Sequence, residues 1–192
     1  MVPTGAPLLI GCHPENAYTD FGTIGRAALE MTAQRHGVEL GDHDRGQIFG
    51  AMRYLPAHPD VQPGLERLRD AGFRLAALTN SMEEVARIQL AHAGLAGYVE
   101  QILSVDAVRR FKPAPEVYRM EATRLQVPTQ NMRLIAAHGW DVAGAQRAGC
   151  PAAFAARPGK VLDPLAPRPD VVGADIPAIA DQIVAIEANT GQ

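Results

Sequence analysis

The stretch VQPGLERLRDAGFRLAALT, residues 61–79, contains a helix, a stop and a strand in immediate succession. Pro63 suits the first turn of a helix over 61–71, and apolar side chains three residues apart share one of its faces. Gly72 supplies the left-handed residue that ends such a helix. The apolar run over 73–79 then predicts a mostly buried strand that ends in a polar residue. A helix that leads directly into a buried strand is typical of α/β proteins.

The same alternation continues toward the carboxyl end at the short spacing of βαβ units. Ser81 and Glu84 have the spacing of a capping box and predict the start of the next helix, which Gly94 can close. The fold class predicted is therefore α/β, with a parallel sheet flanked by helices. Further strands are predicted over 101–104, 132–137 and 151–156, further helices over 116–125, 141–148 and 176–187, and a proline-rich loop over 158–169.

Two helices precede the sheet, with no clear strand ahead of them. They are predicted over 23–36 and 47–55, and Thr19 or Thr23 is interpreted as the cap of the first helix. Prolines then mark the crossing into the βαβ region. Upstream, residues 6–12 are the only candidate for a strand.

Composition excludes several classes of function. The chain has 192 residues, of which 47% are hydrophobic and 20% charged, with a formal net charge of −3. There is no basic excess to attract nucleic acid or an anionic membrane, and no apolar run approaches the ~18 residues of a membrane span. The two cysteines, Cys12 and Cys150, lie far apart, which argues against a disulfide framework or a zinc site. We expect a soluble cytoplasmic protein.

Polar residues follow three of the predicted elements at the points where a ligand would bind. They are Thr79-Asn80-Ser81 after the first strand, Lys112-Pro113 before a helix, and Asp141 after the strand over 132–137. Each alone is more often a helix cap, a turn or a solvated loop. In a parallel sheet, however, such residues converge outside the carboxyl ends of the strands. Their ordered set predicts one cleft.

These groups resemble the second, third and fourth motifs of the haloacid dehalogenase superfamily. The segments SVDAV at 104–108, FKPAPEVY at 111–118 and AHGWD at 137–141 are specifically similar to the type II 2-haloacid dehalogenases. The likeness runs from about 17 to 186. It implies a Rossmann-like core that catalyses through an aspartate, together with a reduced helical cap. The implied boundaries are 17–60 for the partial cap and 61–187 for the core.

The resemblance also implies a role for each matched residue. Thr79 corresponds to the hydroxyl that hydrogen-bonds the nucleophile or the substrate carboxylate, and Asn80 to the asparagine that helps to hold the substrate and the departing halide. Lys112 corresponds to the lysine that keeps the nucleophilic carboxylate ionised, as a nearby ammonium group does on electrostatic grounds alone. Asp141 corresponds to the acid that supports this lysine and the hydrolytic water, and Tyr118 to a pocket tyrosine.

Residues before Asp141 bear on the pocket and on metal binding. His138 is either a polar pocket group or a neutral hydrogen-bonded histidine, and Trp140 is core or pocket wall. Phosphatases of the superfamily commonly carry two aspartates four residues apart in this motif, where they hold Mg²⁺. Here the first position is Ala137. We therefore expect no metal and no other cofactor, and this favours dehalogenation over phosphoryl transfer.

The first motif of the family is an apolar strand that ends in Asp-x-x-x-Thr, and no segment here matches it. The sequence DFGT at 20–23 is one residue short and does not follow a buried strand, while Glu15 is the acid nearest to the apolar residues 8–10. Loss of this strand, which is central in the family's sheet, would leave two strands with unpaired edges. A truncated gene model, a frameshifted start and a decayed gene all remain open.

Three interpretations of the function follow. The first is hydrolytic dehalogenation of short 2-haloalkanoic acids through an aspartyl ester, the second an inert remnant, and the third a phosphatase-like hydrolase of the same superfamily. The expected partner is a small 2-haloacid or a similar carboxylate, and a homodimer is left open. Lys112 and Asp141 are expected within salt-bridge reach, and without the nucleophile Lys112 should either pair with Asp141 or reach solvent.

Overall fold

The computed structural model describes residues 18–190, with side chains described as far as 188. The candidate strand over 6–12 and Glu15 lie outside these residues. Helices and strands alternate from residue 61 to residue 155, as the sequence predicts. In chain order the elements are α1 Phe21–Arg35, α2 Asp42–Met52, α3 Val61–Asp70, β1 Ala76–Thr79, α4 Glu83–His92, β2 Gln101–Ser104, α5 Pro115–Leu125, β3 Leu134–Ala136, α6 Gly139–Arg147, β4 Ala152–Ala155, β5 Val171–Gly173 and α7 Ile176–Thr190.

All strand pairs among the described residues are parallel, which confirms the predicted α/β class. They form two sheets, one of β1 and β2 and one in the order β3-β4-β5. In the first sheet Thr79 lies opposite Ser104, so both strands end at the same level. Strand β5 was not predicted, because its three residues are too few to show a periodicity.

Three predicted helix starts are wrong, and one of them is that of α2, which begins at Asp42 rather than at residue 47. Asp20, rather than Thr19 or Thr23, caps α1, and its Oδ1 accepts a hydrogen bond from the Thr23 backbone N–H at 2.9 Å. Helix α4 begins at Glu83 without a side-chain cap. Ser81 instead belongs to the turn after β1, where its N–H donates to Thr79 Oγ1 at 3.0 Å. The short polar side chain therefore stabilises the strand end instead of the helix.

Three apolar clusters cover the sheets, the third of them between α6 and β4. In the first, α3 and α7 bury Leu68 and Ile179 against Ala153 of β4. The second lies between α5 and α6, and both Leu78 of β1 and Leu134 of β3 pack against it. The two sheets are therefore neighbours through their side chains, although no backbone ladder between described residues joins them.

Helices α1 and α2 bury none of their residues completely. They are joined to each other by Arg45, whose guanidinium makes two hydrogen bonds to Glu30, of 2.6 and 3.0 Å. Aromatic contacts connect their start to the rest of the protein, because Tyr18 stacks on Phe111 with ring centroids 5.2 Å apart. No described helix has the length and apolar character needed to cross a bilayer.

Helices α3 and α7 approach so closely that Gly64 has no room for a side chain. A Cβ there would lie 2.8 Å from the carbonyl carbon of Ile176. We expect Gly64→Ala to destabilise the fold by about 1–3 kcal/mol, the usual cost of overpacking. In the matched variant Gly50→Ala, in α2, the new methyl group meets open space. This variant should gain about 0.5–1 kcal/mol from helix propensity.

Urea unfolding followed by circular dichroism measures both changes in the free energy of unfolding. A Gly64→Ala protein as stable as the wild type would show that α3 and α7 are not held at this distance in solution.

Candidate active site

Lys112 lies where the two sheets meet, and three hydrogen bonds fix it there. Its backbone N–H donates to Asn80 Oδ1 at 3.0 Å. Its Nζ donates to the Leu78 carbonyl of β1 at 3.2 Å and to Asp141 Oδ2 at 2.8 Å. Asn80 thus holds the loop that carries the lysine, and the ammonium group joins β1 to the helix that follows β3.

Asp141 is buried, in the first turn of α6, and both of its oxygens are engaged. Oδ2 accepts from Lys112, and Oδ1 accepts from the hydroxyl of Tyr118 at 2.6 Å. The side chains of Lys112 and Asp141 are only 12% and 6% exposed. A buried ion pair tolerates removal of one partner poorly, because the remaining charge loses its compensation.

Tyr118 is fully buried on α5, and burial, followed by the negative charge of Asp141, raises the pKa of its phenol. It therefore acts as a neutral hydrogen-bond donor. Its approach to Asp141 requires Gly144, because a Cβ there would lie 2.7 Å from the Tyr118 hydroxyl and 2.8 Å from the Pro113 carbonyl oxygen. This glycine allows α5 and α6 to come close enough for the hydrogen bond.

Thr79 ends β1 beside this group. Its hydroxyl oxygen accepts the Ser81 backbone N–H at 3.0 Å. The structure therefore brings Thr79 and Asn80, at the end of β1, together with Lys112, Tyr118 and Asp141 at the carboxyl ends of the strands.

His138 and Trp140 line a pocket at the start of α6. Their rings are 5.4 Å apart, and Trp140 is 41% exposed, so the tryptophan lines a pocket and is not part of the core. The His138 Nε2 is 3.1 Å from Lys160 Nζ. Burial, then the charge of Lys160, lowers the pKa of His138. Both alternatives for His138 agree with this position, because the imidazole contacts Lys160 and also lines the pocket.

Sequence reasoning missed Glu121, which is 6% exposed on the inner face of α5. Burial raises the pKa of this carboxyl from 4.5 to about 7, with the charge of Lys112 opposing the rise and that of Asp141 adding to it. A signal was present in the sequence, because Glu121 follows Tyr118 by three residues and so shares its helix face. In the part of the chain that the structure describes, no three His, Cys, Asp or Glu side chains are grouped to hold a metal ion.

The raised pKa of Glu121 predicts a dependence of stability on pH. The folded protein holds the proton of Glu121 more tightly than the unfolded chain does. This preference contributes fully to the free energy of unfolding below pH 4.5, and the contribution is lost as the pH rises through about 7. Above that pH the buried carboxylate should cost roughly 3 kcal/mol. Glu121→Gln should remove this loss, so that the variant becomes the more stable protein at pH 8.

Urea unfolding of both proteins at pH 5 and pH 8 checks this expectation, since all other titrating groups are common to the two. Parallel changes in the two proteins would mean that Glu121 ionises normally.

Known proteins match this chain in sequence. A family model for haloacid dehalogenase-like hydrolases matches residues 14–149. An (S)-2-haloacid dehalogenase, H-109 of Pseudomonas putida, is 25% identical over 167 residues, covering 87% of this chain and 75% of the relative. Haloacetate dehalogenase H-2 of Moraxella sp. (strain B) is 30% identical over 153 residues, covering 80% and 68%.

Solved structures agree with these relatives. The L-2-haloacid dehalogenase RSc1362 superposes with a TM-score of 0.83 at 30% identity, covering 88% of this chain and 74% of that one. The L-2-haloacid dehalogenase of Xanthobacter autotrophicus, with chloropropionic acid covalently bound, superposes with a TM-score of 0.80 at 26% identity, covering 86% and 76%. On this evidence the chain belongs to the haloacid dehalogenase-like hydrolases, and its relatives there are the 2-haloacid dehalogenases of type II.

Proposed function

We propose that this site serves the hydrolytic dehalogenation of short 2-haloalkanoic acids. The observation that carries the proposal is the group of Lys112, Asp141 and Tyr118, which lies at the carboxyl ends of the strands with every polar contact between 2.6 and 3.2 Å. Such a group supplies a buried positive charge, which would keep a neighbouring carboxylate ionised. The 2-haloacid dehalogenases among its relatives support the same chemistry.

The reaction has two displacement steps. A carboxylate oxygen of an aspartate attacks C2 of the substrate, and the carbon–halogen bond breaks as halide leaves with the bonding electrons. Water then attacks the carbonyl carbon of the aspartyl ester, and the bond from that carbon to the ester oxygen breaks. The 2-hydroxy acid leaves with one proton of the water, and the other is released as the aspartate becomes a carboxylate again. In this scheme Lys112 keeps the carboxylate ionised, Asp141 holds Lys112 in place, and Thr79 and Asn80 orient the substrate.

We further propose that the central strand with the nucleophilic aspartate belongs between β1 and β3. Among described strands, β1 pairs only with β2, and β3 only with β4. Residues of β1 and β3 are half-buried, whereas those of β4 are fully buried. A parallel sheet is normally covered on both faces and deepest at its centre. The reduced cap at 17–60 is proposed on the shallow burial of α1 and α2.

The 192-residue chain should release no halide from 2-chloropropionate above background, with or without Mg²⁺. The groups described above position and stabilise, but the covalent step needs a carboxylate in line with the carbon–halogen bond. Ion chromatography of halide measures the result. Release by this chain would show a nucleophile that has been overlooked, and Glu15→Gln and Asp20→Asn would then identify it. Asp20 is otherwise occupied as the cap of α1.

A graft tests the proposed function directly. The first-motif segment of a relative, joined to the amino terminus, should restore halide release, and Lys112→Ala in the graft should abolish it. Arg119→Ala is the matched control, because it removes a cation from the exposed face of α5, the helix that follows the Lys112 loop. A folded graft that shows Mg²⁺-dependent phosphatase activity instead would identify a phosphatase-like hydrolase. A folded graft without either activity would identify an inert remnant.

A further inference from the structure

Strand β2 lies at the edge of its sheet, and among the described strands it pairs with β1 alone. Just before β2, the Glu100 N–H donates to the Leu75 carbonyl at 2.8 Å, so Glu100 turns its backbone polar groups toward β1. These groups alternate in direction along a strand. Ile102 therefore faces β1 as well, whereas Gln101 and Leu103 turn their N–H and C=O groups outward. Within residues 18–190 no group bonds to the outward ones.

The outer edge of β2 lies in a groove of about 560 Å³ between α4 and α5. All four residues of the strand line this groove, with Arg87 of α4 and Met120 of α5 beside them. The strand QILS has no proline, no lysine and no other charged side chain, which are the usual protections of a sheet edge. An edge of this kind binds a further extended segment through backbone hydrogen bonds.

Opposite charges lie at the two ends of the groove. At the amino end of β2, the Arg124 carbonyl oxygen accepts the Gln101 side-chain N–H at 3.4 Å, and the Arg124 side chain is exposed. Just beyond the carboxyl end, Asp106 lines the groove. Its Oδ1 accepts the Tyr18 hydroxyl, and no group of residues 18–188 donates to its Oδ2. The groove therefore runs from a cation to an anion.

The other charges along the groove are already compensated within the chain. Arg87 is paired with Glu83 at 2.6 Å, and Glu100 with Arg74 at 2.6 Å. Arg124 forms no salt bridge with a carboxylate of residues 18–188. It is thus the cation of the groove that is left for a partner, and a partner that runs in the opposite direction would bring an anion to it.

We propose that a second copy of this chain occupies the groove and pairs its β2 antiparallel to the first, across a two-fold axis at Ile102. In this register Gln101 of each copy faces Leu103 of the other. Because both residues turn outward, each such pair exchanges both backbone hydrogen bonds. The same axis brings Arg124 of each copy toward Asp106 of the other. The interface is isologous, as in a closed dimer, and does not depend on the proposed reaction.

Side chains on the axis add to this pairing. The two copies of Ile102 form a pair without backbone hydrogen bonds, which is the type in which side chains lie closest across antiparallel strands. Contacts between β-branched side chains at such a position stabilise a sheet. Both pairs of β1 and β2 would then form one continuous sheet through the dimer.

Sedimentation velocity at rising concentration of the 192-residue chain tests the association. The chain should form dimers at high micromolar concentration. Gln101→Pro should weaken the dimer about tenfold or more, because each copy loses an outward N–H. Proline is tolerated as the first residue of an edge strand, so the fold should persist. Gln101→Val is the matched control, since it removes the same side chain but keeps the N–H, and it should still dimerise.

Charge reversal tests the register. Arg124→Asp should weaken the dimer, because it sets two carboxylates against each other at each end of the groove. Asp106→Arg should do the same with two cations. The double variant should restore association, since each end again joins a cation to an anion. A double variant no better than either single change would contradict the antiparallel arrangement.

Hydrogen exchange of single amides distinguishes this interface from any other. The Leu103 N–H should become protected as the protein concentration rises, whereas the Ile102 N–H, which faces β1, should be protected at every concentration. A chain that stays monomeric would overturn the proposal, and so would a dimer that Gln101→Pro and Arg124→Asp leave unchanged. Protection of Leu103 that is independent of concentration would also overturn it, because another segment of the same chain would then cover the edge.

Discussion

An ammonium group connects two sheets that share no backbone ladder among the described residues. Lys112 Nζ bonds to the Leu78 carbonyl at the end of β1 and to Asp141 in the helix after β3. Both charged side chains are largely withdrawn from water, so removal of one would leave the other buried without a counter-charge. Such a loss typically costs about 3–5 kcal/mol of stability. The close approach at Gly144 and the hydroxyl of Tyr118 keep Asp141 in position. Packing and electrostatics therefore act on the same few atoms.

Much of the core was predictable because its signals are local. The helix, glycine stop and strand over 61–79 follow from periodicity and from the conformational freedom of Gly72, whose φ is +89°. Helix starts were less predictable, since Asp20 and Thr19 offer the same kind of cap and only the backbone geometry selects between them. Strand β5 forms by pairing with β4, and its three residues contain no pattern that would predict this long-range contact.

In the candidate site, too, some residues were predictable from the sequence and others were not. Lys112 and Asp141 were predictable partners, because residues at strand ends converge whatever the details of packing. Glu121 was not predicted, since a carboxyl group on a helix is normally a solvated residue, and its burial depends on how α5 lies against its neighbours. The contact between Lys160 and His138 spans 22 residues and depends on a glycine that lets a loop rest on α6. A sequence pattern does not show how closely two distant segments of backbone approach each other.

The scarcity of lysine has a practical consequence for anyone who attaches this protein to a surface. Amine-reactive supports and labels couple to lysines and to the amino terminus, and arginines are inert to them. Lys112 is shielded, with a side chain 12% exposed, whereas Lys160 is exposed at the edge of the pocket. Conventional amine coupling will therefore hold the molecule either by its amino terminus or by Lys160, at the pocket that His138 and Trp140 line. Immobilisation through an introduced cysteine on the outer face of α7 would leave the cleft open.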